Sequence, residues 1–310
     1  MNDISHKASN QNGDLEMATL TATTNPTRTT FVQKYPLVTF FLLVFGLTWS
    51  FMIVDALGSH DILPFRLPIP LLILMGYMPT LAAVIVTGLT KGKAGIRALF
   101  GKLLIARVGI KWYVFAIFGY GVMSAAAIIL ANLLGGSSPS PVLSEEMSHS
   151  AGPIAMIINA VMLYVVLGLI NGEELAWRGF ALPRLQAKYN ALTSSIILGV
   201  MWGLFHLPLF FTGTGSSQAG ASFLPFLISI VILSILFTWM YNNTQGSVLM
   251  AYLLHAATNT WTRVFTIDHS INPYVSEALT LITALIVVIV LITTGAENLS
   301  RKNMRIQEQE

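Results

Sequence analysis

The sequence contains no cysteine and few charged residues. Of its 310 residues none is Cys, and only 10% are Asp, Glu, Lys or Arg. The absence of Cys excludes disulfides, thiolate nucleophiles, zinc fingers and iron–sulfur clusters. A soluble domain carries about 25% charged residues. This chain has too few charged residues to form a water-exposed surface, so a soluble globular protein is excluded. Because 54% of the residues are hydrophobic and the mean hydropathy is +0.69, an intrinsically disordered chain is excluded as well.

Long apolar segments dominate the rest of the chain. Each approaches the roughly 20 residues that a helix needs to cross a bilayer. The sequence therefore predicts an all-α polytopic membrane protein, a bundle of about eight transmembrane helices. The predicted segments lie at about 36–56, 67–89, 112–134, 153–182, 191–211, 222–241, 247–264 and 274–295.

Polar segments flank this predicted transmembrane domain, which we place at residues 35–296. Residues 1–34 are rich in Thr and Asn, which predicts a flexible tail. Either Met1 or Met17 can serve as the start. No small-residue cleavage site follows the first apolar segment, so the segment is a poor signal peptide. Residues 297–310 form a second predicted tail.

The basic residues indicate an orientation. If the eight segments alternate across the membrane, all but Arg66 and Arg263 of the 17 basic residues fall on one side. Lys and Arg accumulate in cytoplasmic loops, so both tails are predicted to be cytoplasmic, in what we expect to be a bacterial cytoplasmic membrane. This rule also explains the net charge of +3 without a nucleic-acid partner. The basic loop between segments two and three is either an amphipathic segment on anionic lipid or, as we favour, a topology signal alone.

Ionisable residues inside predicted membrane segments are costly, by about 2.5–3.5 kcal/mol each, and indicate function by default. They cluster in this chain. Glu173, Glu174 and Arg178 lie in the fourth segment, His206 in the fifth and His255 in the seventh. At 1.5 Å per residue, Glu173 and His206 lie at nearly equal distances from the turn that joins their segments.

Spacing within each segment suggests separate roles. Glu174 and Arg178 are four residues apart and can form an ion pair on one helix face. Glu173 is turned about 100° away and lacks an intrahelical cation, which makes it a candidate general base.

The same four-residue spacing recurs in the other two segments. Trp202 precedes His206 by four residues, so its indole can wall one side of the imidazole. Asn259 follows His255 by four residues and shares its helix face. A lone intramembrane His is often only a packing residue, and a Glu–Arg pair is often structural. Three such pairs on three segments at matching depth favour a catalytic site.

These motifs, Glu173-Glu174-x-x-x-Arg178, Trp202-x-x-x-His206 and His255-x-x-x-Asn259, resemble those of the CAAX-protease and bacteriocin-processing family of intramembrane proteases. The resemblance covers about residues 150–265, the predicted protease core. The second motif commonly opens with Phe, where this chain has Trp202.

The resemblance implies an endopeptidase of the CAAX prenyl protease-like type. Glu173 would deprotonate a water that His206 holds. His255 and Asn259 would donate to the oxyanion, while Glu174 and Arg178, with Trp202, would support the site. The substrate would be a peptide or a membrane-anchored protein, reached from the lipid bilayer.

The metal dependence of such a site is open on sequence alone. Glu173, His206 and His255 include the residue types of a catalytic zinc set, but the His-Glu-x-x-His spacing is absent. Either a single Zn or no metal is consistent with the residues, and we favour the metal-free site.

Two other functions remain open. One is a non-catalytic membrane scaffold or bacteriocin-immunity factor of the same fold. The other is a proton-coupled transporter, since Glu and His chains also relay protons. A transporter would favour two related halves with broken helices, whereas the polar residues of the predicted site all lie in the second half of this chain.

Overall fold

The computed structural model describes residues 29–134, 147, 149–213, 218–265, 273–301 and 305–308. Over these residues the chain is helical and contains no strand, as the composition predicts. Met1 and Met17 lie outside the described residues, as does most of the predicted N-terminal tail. The fold is that of an all-α polytopic membrane protein.

Twelve α-helices are described. In chain order they are α1 (Phe31–Lys34), α2 (Pro36–Ser59), α3 (Ile69–Gly76), α4 (Met78–Gly101), α5 (Ile110–Val114), α6 (Tyr120–Leu133), α7 (Pro153–Leu169), α8 (Leu182–Gln186), α9 (Ala191–Phe205), α10 (Phe223–Asn243), α11 (Val248–Val264) and α12 (Pro273–Thr294). Two π-helical segments, Phe115–Gly119 and Leu175–Ala181, precede α6 and α8. Two short 3₁₀ segments, Lys102–Leu104 and Leu207–Phe211, follow α4 and α9.

The number of spans is close to the predicted eight but not equal to it. Five helical stretches are long and apolar enough to cross a bilayer, and the bent pair α3–α4 makes six. α7 is apolar but has only 17 residues, and α11, also of 17 residues, is the more polar helix that carries His255. Each of the eight predicted segments thus contains a helix, but two of those helices differ from ordinary spans.

Large apolar side chains cover the outer faces of the long helices. Leu42 on α2, Leu133 on α6 and Ile292 on α12 are 65%, 79% and 79% exposed. A soluble monomer rarely exposes contiguous apolar surface on this scale. These faces fit lipid contact.

Parts of both predicted tails are described in the structure. Thr30 and Gln33 form a capping box that starts α1, so the last four residues of the predicted N-terminal tail are helical. At the other end, the carbonyls of Glu297 and Ala296 accept from the first amides of α9. Residues 305–308 also pack against the helix ends. The described part of the C-terminal segment is therefore folded onto the bundle.

The fourth predicted segment, 153–182, is not one continuous helix. α7 ends at Leu169, and helical structure resumes in the π segment at Leu175. Side chains from the neighbouring α3–α4 pair replace the lost helical hydrogen bonds. The Tyr77 hydroxyl donates to the Leu169 carbonyl, and the Thr80 hydroxyl donates to the Gly172 carbonyl at 2.6 Å. Sharp breaks in helices have such local causes.

The π segment after this break lies in the core. All seven of its residues, Leu175–Ala181, are buried. Phe40 of α2 packs against the rings of Trp177 and Phe180, with centroid distances of 5.9 and 4.8 Å. Packing on several sides holds the segment that begins immediately after Glu173 and Glu174.

Candidate active site

The helix break places Glu173 at the start of the π segment. The Asn171 side-chain oxygen accepts from the Glu173 amide at 3.1 Å, as a capping residue does at a helix start. Gly172 permits the close approach of α3–α4 here, since a Cβ atom on it would lie 2.6 Å from the Tyr77 Cα. π-helical bulges of this kind occur frequently at functional sites.

Two indoles hold the carboxylate of Glu173. Nε1 of Trp177 donates to Oε2 at 2.9 Å, and Nε1 of Trp202 donates to the same oxygen at 2.8 Å. Among the described residues these are the hydrogen bonds of this carboxylate, and both fall on Oε2. Oε1 therefore keeps its lone pairs for a further partner, and the side chain is only partly buried.

Glu174 is fully buried and joins two other side chains. Its carboxylate oxygens accept from Nη1 of Arg178 at 2.9 and 3.1 Å, the ion pair that the four-residue spacing predicts. Oε1 also lies 2.7 Å from Nδ1 of His255. Glu174 thus links the π segment to α11, a contact that the sequence did not predict.

Arg178 has no exposed surface and lies between two aromatic rings. Its guanidinium carbon is 4.4 Å from the Trp202 ring centroid and 4.2 Å from that of Phe237. Stacking on rings suits the planar guanidinium. Within the described part of the chain, all hydrogen bonds that the Arg178 guanidinium donates go to Glu174.

His206 ends α9 and presents one ring nitrogen for chemistry. Its Nδ1 lies 2.8 Å from the Trp202 carbonyl. Because a carbonyl only accepts, Nδ1 carries the hydrogen, and Nε2 of the neutral ring is an acceptor. The ring is partly exposed, so Nε2 is suited to accept a hydrogen bond from a water.

His255 and Asn259 lie one turn apart on α11. The Glu174 carboxylate fixes the Nδ1 hydrogen of His255, so His255 can donate from Nε2 only as the imidazolium. Asn259 is partly exposed, and its side chain makes no hydrogen bond with any residue that the structure describes. Its amide is a donor in every protonation state.

Trp202 brings the separate motifs together. Its indole N–H is on Glu173, and its ring centroid lies 5.4 Å from that of His255 and 6.3 Å from that of His206. Glu173, His206 and His255 therefore surround one indole, whereas no contact between Asn259 and these side chains is described. The sequence predicted the contact of Trp202 with His206 but not its contacts with Glu173 and His255.

Glu173, His206 and His255 are the residues that would bind a metal if one were present. Over the described residues, no three His, Cys, Asp or Glu side chains are placed to hold a metal ion. His255 directs one nitrogen to Glu174, and Glu173 has one oxygen taken by two indoles. This conformation does not assemble Glu173, His206 and His255 as zinc ligands.

Sequence analysis missed Trp177 and Asn171. Trp177 lies four residues after Glu173, the same spacing that pairs Glu174 with Arg178, so the spacing argument could have found it. Asn171 could not be found in this way, because its role depends on a helix break that the apolar pattern does not show.

Comparisons with known proteins agree with the family resemblance. Residues 153–261 match the family described as type II CAAX prenyl endopeptidase Rce1-like. The chain is also similar to a protein named CAAX prenyl protease 2 from Methanococcus maripaludis. The two are 30% identical over 143 residues, which is 44% of this chain and 52% of the relative. The chain thus spans about half the length of this curated relative.

Proposed function

Through residues 153–261 the chain belongs to the CAAX-protease and bacteriocin-processing family, and from this premise we propose that it is an intramembrane endopeptidase. The proposed reaction is hydrolysis of a peptide bond by a water that Glu173 and His206 activate. One observation carries the proposal. The indole of Trp202 is surrounded by the Glu173 carboxylate, which has one free oxygen, and by the imidazoles of His206 and His255.

The proposed mechanism begins with a water between Glu173 and His206. Nε2 of His206 accepts one hydrogen bond from the water, and Oε1 of Glu173 takes a proton as the water oxygen attacks the scissile carbonyl. The C–N bond then breaks, and the proton on Glu173 passes to the departing amine. Positioned acid–base groups contribute about 10²–10⁴-fold in rate.

Donors on α11 would stabilise the oxyanion of the tetrahedral intermediate. Asn259 donates from its amide, and His255 donates from Nε2 when it is the imidazolium. Loss of one such donor costs about 10²–10³ in kcat in other enzymes. Glu174 has a supporting role, because it fixes His255 and neutralises Arg178.

The relative's printed name, CAAX prenyl protease 2, supports a substrate of the CAAX type for this chain. A prenylated protein is membrane-anchored, and a site among apolar helices would receive it from the bilayer. The proposed substrate is therefore a peptide or protein whose cleaved bond lies near a membrane anchor.

The test of this function is the Glu173→Gln variant. Gln keeps an oxygen that accepts from the two indoles, so the fold should be retained, but it cannot accept the proton. We expect turnover to fall by at least about 10²-fold, with the melting temperature unchanged. The measurement is cleavage of a fluorogenic peptide with a farnesylated Cys, by protein in lipid vesicles, alongside the same peptide without the farnesyl group.

The exposed Glu277 on α12 provides a matched control, since Glu277→Gln removes the same charge outside the site and should cleave as wild type. Wild-type turnover by Glu173→Gln would rule out Glu173 as the base. A wild-type protein that binds both peptides and cleaves neither would instead favour a non-catalytic scaffold.

A further inference from the structure

The last turn of the π segment has two carbonyls that cationic side chains cap. Residue 183 is Pro and has no N–H, so it cannot donate to the Gly179 carbonyl. Nζ of Lys102 donates to the Gly179 carbonyl at 2.5 Å. Nη1 of Arg184 donates to the next carbonyl, that of Phe180, at 2.8 Å.

These two cations reach the segment from different elements. Lys102 follows α4 directly and comes after its apolar part, which ends before Lys91. Arg184 lies on α8, where its guanidinium also stacks on the Phe180 ring at 3.7 Å.

The C-terminal segment supplies the opposite charge. The Glu308 carboxylate lies 2.6 Å from Nζ of Lys91 and 3.1 Å from Nη2 of Arg184. The Glu308 amide donates to the Pro183 carbonyl at 3.1 Å. One turn of α8 is therefore held by a salt bridge and by a backbone hydrogen bond from the same residue.

Further hydrogen bonds fix this segment on the bundle. Nε of Arg305 donates to the Gln186 carbonyl at 2.9 Å, and the Gln186 side chain donates to the Ile306 carbonyl at 2.8 Å. Gln186 and Asn242 of α10 also exchange side-chain hydrogen bonds. Residues 305–308 thus connect α4 with the ends of α8 and α10.

We propose that Lys102 and Arg184 are positioning residues for Glu173: they hold the carbonyls of Gly179 and Phe180, and so fix the π segment at the end opposite to Glu173, with Glu308 keeping Arg184 in place. Glu173 lies six residues before Gly179, just ahead of the same short helical segment. A shift of the clamped end therefore moves the carboxylates. The inference rests on the proposed function, since it assigns residues that position its general base.

Burial gives the clamp a pH dependence. Burial lowers the pKa of Lys102 to about 8, and the positive charges of Arg184 and Lys91 act in the same direction, whereas Glu308 opposes them. Ser247 and Val248, at the start of the neighbouring α11, add no titratable group. The ammonium of Lys102 is therefore lost as the pH rises past about 8, and the charged donor to Gly179 is lost with it.

Activity and stability should then change in opposite directions in alkaline solution. Because the pKa of Lys102 is lower in the folded state than its ordinary 10.5, the unfolded state binds more protons between pH 8 and 10.5. Folding stability that depends on Lys102 rises with pH over that range, whereas positioning by the ammonium falls. A purely structural lysine would not produce this opposition.

The experiment compares Lys102→Met, Lys102→Arg and a matched control, Lys93→Met, from pH 6 to 10. Lys93 is an exposed lysine in the same basic segment. At pH 7 we expect Lys102→Met to lower kcat about tenfold at constant KM, since small misplacements at an active site have effects of this order or larger. The decline in kcat near pH 8 should disappear in Lys102→Met and move to higher pH in Lys102→Arg, whose charge persists. Lys93→Met should match the wild type.

Wild-type kcat in Lys102→Met, with the decline near pH 8 retained, would overturn the inference while leaving the proposed function intact. Turnover by Glu173→Gln would instead remove the proposed function. A readout that needs no turnover is amide hydrogen exchange over residues 173–186. Lys102→Met should speed exchange there relative to Lys93→Met, and unchanged exchange would also overturn the clamp.

Discussion

A carboxylate inside a protein needs donors for its lone pairs, and the two adjacent glutamates meet this need differently. Glu173 accepts from two neutral indoles, and Glu174 accepts from Arg178 and His255. Hydrogen bonds to charged groups are worth about 1.5–3 kcal/mol net. Neutral donors hold Glu173 in place and leave one carboxylate oxygen without a cation, as a general base requires. The charged and imidazole partners of Glu174 instead fix that side chain as part of the scaffold.

This difference predicts that Glu174→Gln destabilises the protein more than Glu173→Gln. Arg178 has no exposed surface, and removal of one partner of a buried ion pair costs about 3–5 kcal/mol. Glu173→Gln removes no partner of a cation. The measurement is the unfolding free energy of both variants in detergent.

A double variant provides the control for this prediction. Glu174→Gln with Arg178→Met removes both charges and should recover part of the loss, because an uncharged pair of similar size is tolerated in a core. Greater destabilisation by Glu173→Gln would reverse the two assignments.

Local spacing could predict contacts within one segment but not between segments. The Glu174–Arg178 pair follows from positions four apart, and Glu173–Trp177 follows the same rule. The contact between His255 and Glu174 joins residues 81 apart in sequence. Its prediction would require the relative rotation of two helices, which depends on packing rather than on spacing.

At the scale of elements, the break between α7 and the π segment positions the site. A continuous helix through residues 153–182 would place Glu173 by regular rise, as the sequence predicts. Instead Tyr77 and Thr80 take the carbonyls of Leu169 and Gly172. An apolar run does not show such a break, because its residues remain suited to lipid and core whether or not the helix is continuous.

Gly172→Ala is predicted to disturb this break and lower activity. The added Cβ would lie 2.6 Å from the backbone of Tyr77, so α3–α4 or the loop before Glu173 must move. Overpacking of this kind costs about 1–3 kcal/mol, and misplacement of the base should lower kcat by at least about tenfold. Thermal melting and peptide cleavage measure the two effects.

Gly168→Ala is the matched control for this variant. It lies four residues earlier, and its Cβ would make an ordinary 3.5 Å contact with the Ala256 side chain. It should keep wild-type cleavage. Equal activity in both variants would show that the close approach at Gly172 does not position Glu173.

For the whole molecule, composition predicted the all-α membrane fold, and the apolar segments predicted where its helices lie. The number of crossings was harder to predict. α7 is short, and α11, which carries His255 and Asn259, is more polar than the other long helices. Hydropathy alone cannot tell whether such helices cross, since the property that makes a helix functional also makes it less apolar.

Reporter fusions can decide whether α7 and α11 cross the membrane. The positive-inside rule predicts cytoplasmic tails, so with eight crossings a reporter after residue 145 should be external and one after residue 188 cytoplasmic. A reporter after residue 245 should be cytoplasmic, and one after residue 268 external. Equal signals at 145 and 188 would show that α7 and the π segment form a re-entrant element. Equal signals at 245 and 268 would show the same for α11.

A cytoplasmic signal at residue 305 would agree with Arg184 and Glu308 meeting on that side, since their contact at 3.1 Å requires the end of α8 and the C-terminal segment to share one compartment.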